Sequence, residues 1–411
     1  MSQDPTEVNR IRQQLQQIVF ARASLAAKNP YSRAVFTRLR NCRTSQNGVN
    51  YFRCNDGNCR YEHYQYHNCG NRHCPNCGGM RREQWLEDKT AELLPTSYYH
   101  VVFTLPHELN SLIMGNRRPL FKLLFDASAY TLLKLAKDEK WLGAVPGLIS
   151  ILHTWGQDLS FHPHVHCIIS GGGIKNGNWV KEKRKNNTYL FPKDAMRKIY
   201  KAYFLRQLRK MLAKKTLQVK EDSDMESKLM AIGFKKWNVY AKKPFGGPLQ
   251  VLEYLGRYTH KVAITAHRIR EINQKENAIT FRYKDYHARG TAEEQKVMTL
   301  SVDEFIRRYE HHLLPQRFVK IRHYGYLSNH RRTMRLQELF MLLRLPPPPP
   351  KIRVPVQARM LERHGVDIAR CPLCNHGKLE LVATFRHGTL CKTFPVMARA
   401  LQPQNKASPD K

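Results

Sequence analysis

Apolar positions along the chain change period several times, and each change predicts an element. Val8, Ile11, Leu15, Ile18, Val19 and Leu25 recur at helical spacing, so residues 5–40 read as helix interrupted at Pro30. A helix running from basic to acidic follows over 81–94. Tyr98 to Thr104 is a run of aromatic and β-branched residues stopped by Leu105-Pro106, which predicts a strand. Apolar residues at 121, 124, 125, 132 and 135 predict a helix over 120–135. The second half of Thr154 to Gly173 reads as a strand: Val165, Cys167, Ile168 and Ile169 are apolar, and the glycines at 171–173 end the run. Trp179 to Leu190 is polar and lysine-rich, a hairpin or loop. A basic amphipathic helix over 194–216 carries Ile199, Tyr203, Phe204, Leu208 and Leu212 on its apolar side. After the loop Gly246-Gly247-Pro248, a helix is expected from Val251 to His260, strands over 261–265 and 278–283, and a helix over 302–311. Strands interleaved with helices in this order predict an α+β sheet with helices on one face.

Five prolines at 346–350 form a stiff spacer of about 15 Å. Together with the cysteine-rich stretch they divide the chain into a helical region 1–41, a cysteine module 42–92, a main domain 93–340 and a C-terminal extension 341–411. Disorder is expected in the tail from Gln402.

Composition narrows the class. Hydrophobic residues make up 42% of 411, as in an ordinary globular chain. The excess of 69 basic over 33 acidic residues, a net +36, calls for a polyanionic partner. No apolar run approaches the roughly 18 residues of a membrane span, and the polar start from Met1 to Arg10 has no signal pattern. These features point to a soluble protein that meets nucleic acid in the cytoplasm. Eight of the ten cysteines lie between 42 and 77 or form the pair 371/374, which in such a protein favours zinc over disulfides.

Cys54-x4-Cys59 and Cys74-x2-Cys77 are two knuckles separated by 14 residues, read together as one zinc site. Asp56-Gly57 and Pro75 supply their turns. Cys69 and His73 are spare ligands for a second ion, with Cys42, His63 and His67 behind them. Cys371-Pro-Leu-Cys374 is half of a site that His376, His387 or Cys391 would complete. Tyr51, Phe52, Tyr61, Tyr64 and Tyr66 interleave with Arg53, Arg60 and Arg72, either to stack on bases or to form the module's own core. Arg33, Arg38, Arg40 and Arg43 are a solvated face or a DNA-backbone contact. His164 and His166 share one face of their strand, about 7 Å apart, and can close on one metal ion, although a bare His-x-His also describes two ordinary histidines. Tyr254 and Tyr258 lie four apart and share a helix face, a spacing that core aromatics also adopt.

Four motifs in order carry a resemblance that spans residues 40–335. The run His153-Thr-Trp-Gly-Gln-Asp-Leu, His162-Pro-His164-Val-His166 and the triple glycine is followed by Tyr254-Leu-Gly-Arg-Tyr258-Thr-His260-Lys-Val-Ala-Ile264. This resembles the two-tyrosine, rolling-circle insertion-sequence transposases of the HUH endonuclease superfamily. Asn71-Arg72-His73-Cys74-Pro75-x-Cys77 resembles that family's N-terminal zinc module, and Leu314-Pro315-x-x-Phe318-x-x-Ile321-Arg322-His323-Tyr324-Gly325 a further family segment. The spacing from Cys54 to Cys59 is longer by two than the family's Cys-x-x-Cys.

The resemblance implies an HUH-type antiparallel sheet with helices on its faces, an N-terminal helical and zinc-ribbon module, and a small cysteine-containing extension. It implies a metal-dependent single-strand DNA endonuclease and strand transferase that moves an insertion sequence through a 5′-phosphotyrosine. Tyr254 and Tyr258 would be the nucleophiles, and His164 and His166 would hold Mg²⁺ or Mn²⁺. Gln157 is the third ligand, with Asp158 and His162 as rivals; Arg257 and Lys261 would contact DNA. One or two Zn²⁺ would sit in the N-terminal module. The partners would be single-stranded or hairpin element ends and target DNA. Two other readings are a plasmid relaxase or replication initiator, and a zinc-dependent nucleic-acid binder without catalysis.

Overall fold

The structure, a computed structural model, describes residues 4–77, 79–183, 190–219, 224–242, 250–251, 256, 262–285, 295–348 and 354–394. It falls into two units, one made of 1–78 with 351–411 and the other of 79–350. Among the described residues no helix is long and apolar enough to cross a membrane.

The first unit opens with the helix Pro5–Gln14, started by Asp4, whose carboxylate accepts from the Thr6 amide at 3.0 Å. A π-turn, Leu15–Phe20, and the helix Ala21–Ala26 continue it. Val8, Ile11, Leu15 and Val19 are buried as their spacing predicts, whereas Leu25 is 78% exposed. The helix Pro30–Arg40 starts afresh with the Asn29 side chain as its cap. Then come β1 (Val49–Cys54) and β2 (Glu62–Tyr66), an antiparallel pair.

The second unit begins with the helix Gly79–Thr90 and β3 (Tyr98–Thr104), the latter with the bounds its composition predicts. After the helix Arg117–Lys137 come β4 (Val145–Trp155), β5 (Phe161–Lys175) and β6 (Asn178–Lys181). The helices Lys193–Ala213 and Met225–Phe234 lead to β7 (Val239–Ala241). Then follow β8 (Ile269–Asn273), β9 (Ala278–Lys284), β10 (Gln295–Ser301), the helix Val302–His311, β11 (Ile321–Gly325) and the helix Arg332–Leu342. The main sheet has the order β11-β4-β5-β3-β7, with β6 paired to β5, and every pairing is antiparallel. A second antiparallel sheet has the order β10-β9-β8. Residues 262–265 form no strand, and the helix expected over 251–260 lies mostly outside the described residues.

Helices cover the main sheet on both faces rather than one. One face carries Phe103, Leu152, Val165 and Cys167, which pack with Phe121 and Phe125 of the helix Arg117–Lys137 and with Tyr200 and Phe204 of Lys193–Ala213. The other carries Tyr98, Ile149, Ile151 and Ile168, packed with Leu336, Leu339 and Phe340 of Arg332–Leu342. The interior strand β4 is therefore buried on both sides and reads Leu-Ile-Ser-Ile-Leu, with no alternation to betray it. At the end of β11, Gly325 adopts φ +64°, and a Cβ there would collide with the Pro146 carbonyl of the neighbouring strand.

Beneath the second face lies a buried ionic triad. The Glu92 carboxylate accepts from Lys89 Nζ at 2.6 Å and from Arg332 Nη2 at 2.5 Å. Glu92→Leu would remove the carboxylate that both cations share and should lower the free energy of unfolding by about 3 kcal/mol. Denaturant unfolding checks this, and a change under about 1 kcal/mol would show that the triad is solvated like an ordinary surface pair.

The chain then returns to the first unit with the helix Val356–His364, β12 (Leu379–Arg386) and β13 (Thr389–Thr393). β12 pairs antiparallel with β1, giving the order β13-β12-β1-β2. The C-terminal extension is thus part of the same unit as the N-terminal cysteine module.

Candidate metal centres

Register brings three imidazoles together in the main sheet. His153 of β4 lies directly opposite His164 of β5, and Ile151 lies opposite His166. Opposed residues of an antiparallel pair share a face, so His153 joins the His164/His166 pair. One ring nitrogen from each of the three lies within 4.8 Å of the other two. Ring centroids are 4.6 Å apart for His153–His166, 4.9 Å for His164–His166 and 5.5 Å for His153–His164. His153 and His166 are buried, while His164 is partly exposed, so the group has a side open to solvent.

The surrounding hydrogen bonds decide which ring nitrogens are left for the group. His164 Nδ1 donates to the His162 carbonyl at 2.7 Å, which leaves Nε2 with its lone pair. His166 Nδ1 lies 3.0 Å from Nε2 of His100 on β3, and the two rings stack nearly parallel. Burial above all, then Lys242 and His164, pushes the His100 pKa down to about 3, so this ring is a neutral partner. With Nδ1 engaged by His100, Nε2 is the His166 nitrogen left for the group of three. Trp155 stacks on His153 at 4.6 Å, and the Lys320 ammonium lies 5.2 Å over the Trp155 ring.

His153 is the candidate ligand that reading the sequence overlooks. It was visible only at the head of a family-like run, because β4 has no strand period. The expected third ligands, Gln157, Asp158 and His162, lie in or beside the turn between β4 and β5. Gln157 occupies the β4–β5 turn, where its main-chain carbonyl accepts from Arg268 Nη2. The Asp158 carboxylate accepts from the Ser160 amide at 3.1 Å and hydroxyl at 2.7 Å. His162 is exposed, and its carbonyl holds His164. Tyr254, Tyr258, Arg257 and Lys261 lie outside the described residues.

The donor set fits a divalent ion. Three imidazoles without a carboxylate in the group are softer than the oxygen shell Mg²⁺ prefers, and they suit Mn²⁺ better.

Nearby, the buried His312 receives the Thr154 hydroxyl at Nδ1 (3.2 Å) and donates from Nε2 to the Leu159 carbonyl (3.1 Å). Burial, partly opposed by that carbonyl, pushes its pKa down from 6.5 to about 3. Below pH 6.5 the unfolded chain takes up a proton that the folded chain refuses until about pH 3. Stability contributed by this ring is therefore complete above pH 6.5 and falls as pH drops, by up to about 1.4 kcal/mol per unit. Urea unfolding at pH 7 and pH 5 should show the loss, and His312→Gln should make it smaller. An equal loss in that variant would place the acid sensitivity elsewhere.

The cysteines form two groups of four in the first unit. Cys42, Cys69, Cys74 and Cys77 lie within 4.8 Å of one another, and so do Cys54, Cys59, Cys371 and Cys374. The expected set of Cys54, Cys59, Cys74 and Cys77 is thereby divided. Cys54 ends β1, which pairs with β12, and that pairing draws Cys54 and Cys59 toward the knuckle just before β12. Cys74 and Cys77 instead close on Cys42, which follows the helix Pro30–Arg40, and on Cys69. His73 belongs to neither group of four. His376 lies beside Cys374 in a third group, with Asp56, while His387 and Cys391 join no group among the described residues.

Comparison with known proteins bears on both centres. Residues 147–334, which include the three histidines, match the family described as "Putative transposase". Residues 11–105 match the "Transposase zinc-binding domain". The chain is 38% identical to "Putative transposase y4qJ" of Sinorhizobium fredii, over 89% of this chain and 92% of that one. It is 30% identical to the "Transposase for insertion sequence element IS801" of Pseudomonas savastanoi pv. phaseolicola, over 82% of this chain and 80% of that one. No solved structure matches.

Proposed function

Because this chain belongs to the two-tyrosine insertion-sequence transposases with an N-terminal zinc-binding domain, we propose that it cuts and joins single-stranded DNA through a 5′-phosphotyrosine, in a rolling-circle-like transposition. DNA is the partner of a transposase, and the net charge of +36 suits it. Single-stranded or hairpin ends of the element are the proposed form, met in the cytoplasm.

The observation that carries the reading is the group of His153, His164 and His166, on one face of the sheet with ring nitrogens within 4.8 Å. His164 Nε2 and His166 Nε2 would be ligands, with His153 as the third; Gln157 in the adjoining turn is the alternative third. A divalent ion bound there, Mn²⁺ before Mg²⁺, would draw charge from a non-bridging phosphate oxygen. His100 would keep the His166 ring oriented, as a neutral second partner does for a metal-ligating histidine.

Tyr254 or Tyr258 would be the nucleophile. A phenol with a pKa near 10 is mostly protonated at neutral pH, and the nearby cationic side chains Arg257 and Lys261 would favour its phenolate while contacting the DNA backbone. The phenolate oxygen bonds to phosphorus, the bond from phosphorus to the 3′ oxygen breaks, and that oxygen leaves as a hydroxyl after taking a proton. The covalent link keeps the energy of the broken bond, so joining needs no nucleotide cofactor. A second tyrosine allows another strand to be cut while the first end remains attached. Zn²⁺ would serve in the N-terminal module, on Cys42, Cys69, Cys74 and Cys77.

The test is incubation of the full chain with labelled single strands spanning element ends and Mn²⁺. A denaturant-stable protein–DNA species is expected. Free nicked DNA without an adduct would contradict the tyrosine chemistry, and resealing without transfer to a second DNA would favour a relaxase.

A further inference from the structure

We infer that Cys54, Cys59, Cys371 and Cys374 form a second zinc site, contributed in equal halves by the two ends of the chain. The matched zinc-binding domain stops at residue 105 and so holds only two of these four ligands.

The argument starts from sulfur geometry. Cys54 Sγ lies 3.7 Å from Cys374 Sγ, and Cys59 Sγ lies 3.7 Å from Cys371 Sγ. A disulfide would need about 2.05 Å. Four thiolates placed tetrahedrally around zinc at about 2.3 Å stand about 3.8 Å apart. The observed spacing is the edge of that tetrahedron. In the other group, Cys69 and Cys77 show the same 3.7 Å.

The backbone is shaped for the same purpose. In the second knuckle the Gly377 amide donates to Cys374 Sγ at 3.3 Å, and the Cys371 amide donates to the Gly377 carbonyl at 2.8 Å. A Cβ at Gly377 would collide with Cys54 Sγ, so glycine leaves room for a sulfur arriving from the far end of the chain. In the first knuckle the Cys59 amide donates to the Asp56 carbonyl at 3.0 Å, closing the turn that faces the pair. Beside the sulfurs, His376 Nε2 meets Asp56 Oδ2 at 2.7 Å, a further tie between the same two segments. Four thiolates select Zn²⁺ over the harder Mg²⁺ or Mn²⁺.

Metal content of the purified full chain tests the proposal. Cys371→Ser with Cys374→Ser should lose one zinc per chain relative to wild type, and so should Cys54→Ser with Cys59→Ser. Replacing all four should still lose only one, because both pairs serve one ion. Cys391→Ser, outside the group, should lose none. No loss in either pair variant, or a loss of two in the fourfold variant, would overturn the proposal. Cobalt titration of the metal-stripped wild-type chain avoids variants that fail to fold: two equivalents with four-thiolate absorption support the site, and a single one refutes it.

Discussion

His166→Ala should lower single-turnover cleavage of a single strand about a thousandfold while the chain stays folded. The proposed ion supplies several kcal/mol of stabilisation to the charge developing on phosphate, and each 1.4 kcal/mol is a factor of ten. His166 is a buried member of the group, with its ring against that of His100. Removing the ring leaves two imidazoles, one of them on the open side. His153→Ala should fall nearly as far, and Gln157→Ala should stay within about tenfold of wild type, if the sheet rather than the turn supplies the third ligand. The reverse order would move the third ligand to Gln157. His100→Ala should act through His166, weakening Mn²⁺ affinity about 10- to 100-fold and recovering rate at high Mn²⁺. Cleavage against Mn²⁺ concentration, with circular dichroism to monitor folding, separates these cases. Normal cleavage by His166→Ala in chelated buffer would remove the metal from the mechanism.

Tyr254→Phe combined with Tyr258→Phe should abolish the covalent adduct altogether while single-strand binding persists. Phenylalanine keeps the ring but removes the side-chain oxygen that would bond to phosphorus. Binding draws mainly on phosphate neutralisation by many cations, so loss of two hydroxyls should hardly alter it or its salt dependence. Each single variant should keep a first cleavage whenever the other tyrosine can reach the strand, but should fail to complete transfer. An adduct formed by the double variant, seen on a denaturing gel, would exclude both residues.

How far the sequence could be read followed from the physics of each element. β3 and the helix Val302–His311 were legible to the residue, because one is a dense run of β-branched and aromatic side chains and the other has a sharply one-sided apolar stripe. β4 was illegible: a strand covered on both faces has no period. That gap hid His153 as well, since its place beside His164 depends on strand pairing rather than spacing. The pair His164/His166 was legible because alternation within one strand needs no partner. The cysteines were recognised as metal ligands by type, but two knuckles close in sequence looked like one site. Nothing local to residues 42–77 signals that β1 takes a partner 325 positions away, as in the pairing of Cys54 with Leu379.

That pairing has a consequence during synthesis. When β1 and β2 leave the ribosome they form a two-stranded hairpin with a bare edge, marginal by itself in water. β12 emerges some 325 residues later, as measured from Cys54 to Leu379, which at roughly 5–20 residues per second is on the order of twenty seconds to a minute. A nascent chain that stalls or is cut short after the central sheet would carry an uncovered strand edge and two unmatched thiols. Such a product would be recognisable to proteases and chaperones, so a complete reading frame would be favoured over a fragment.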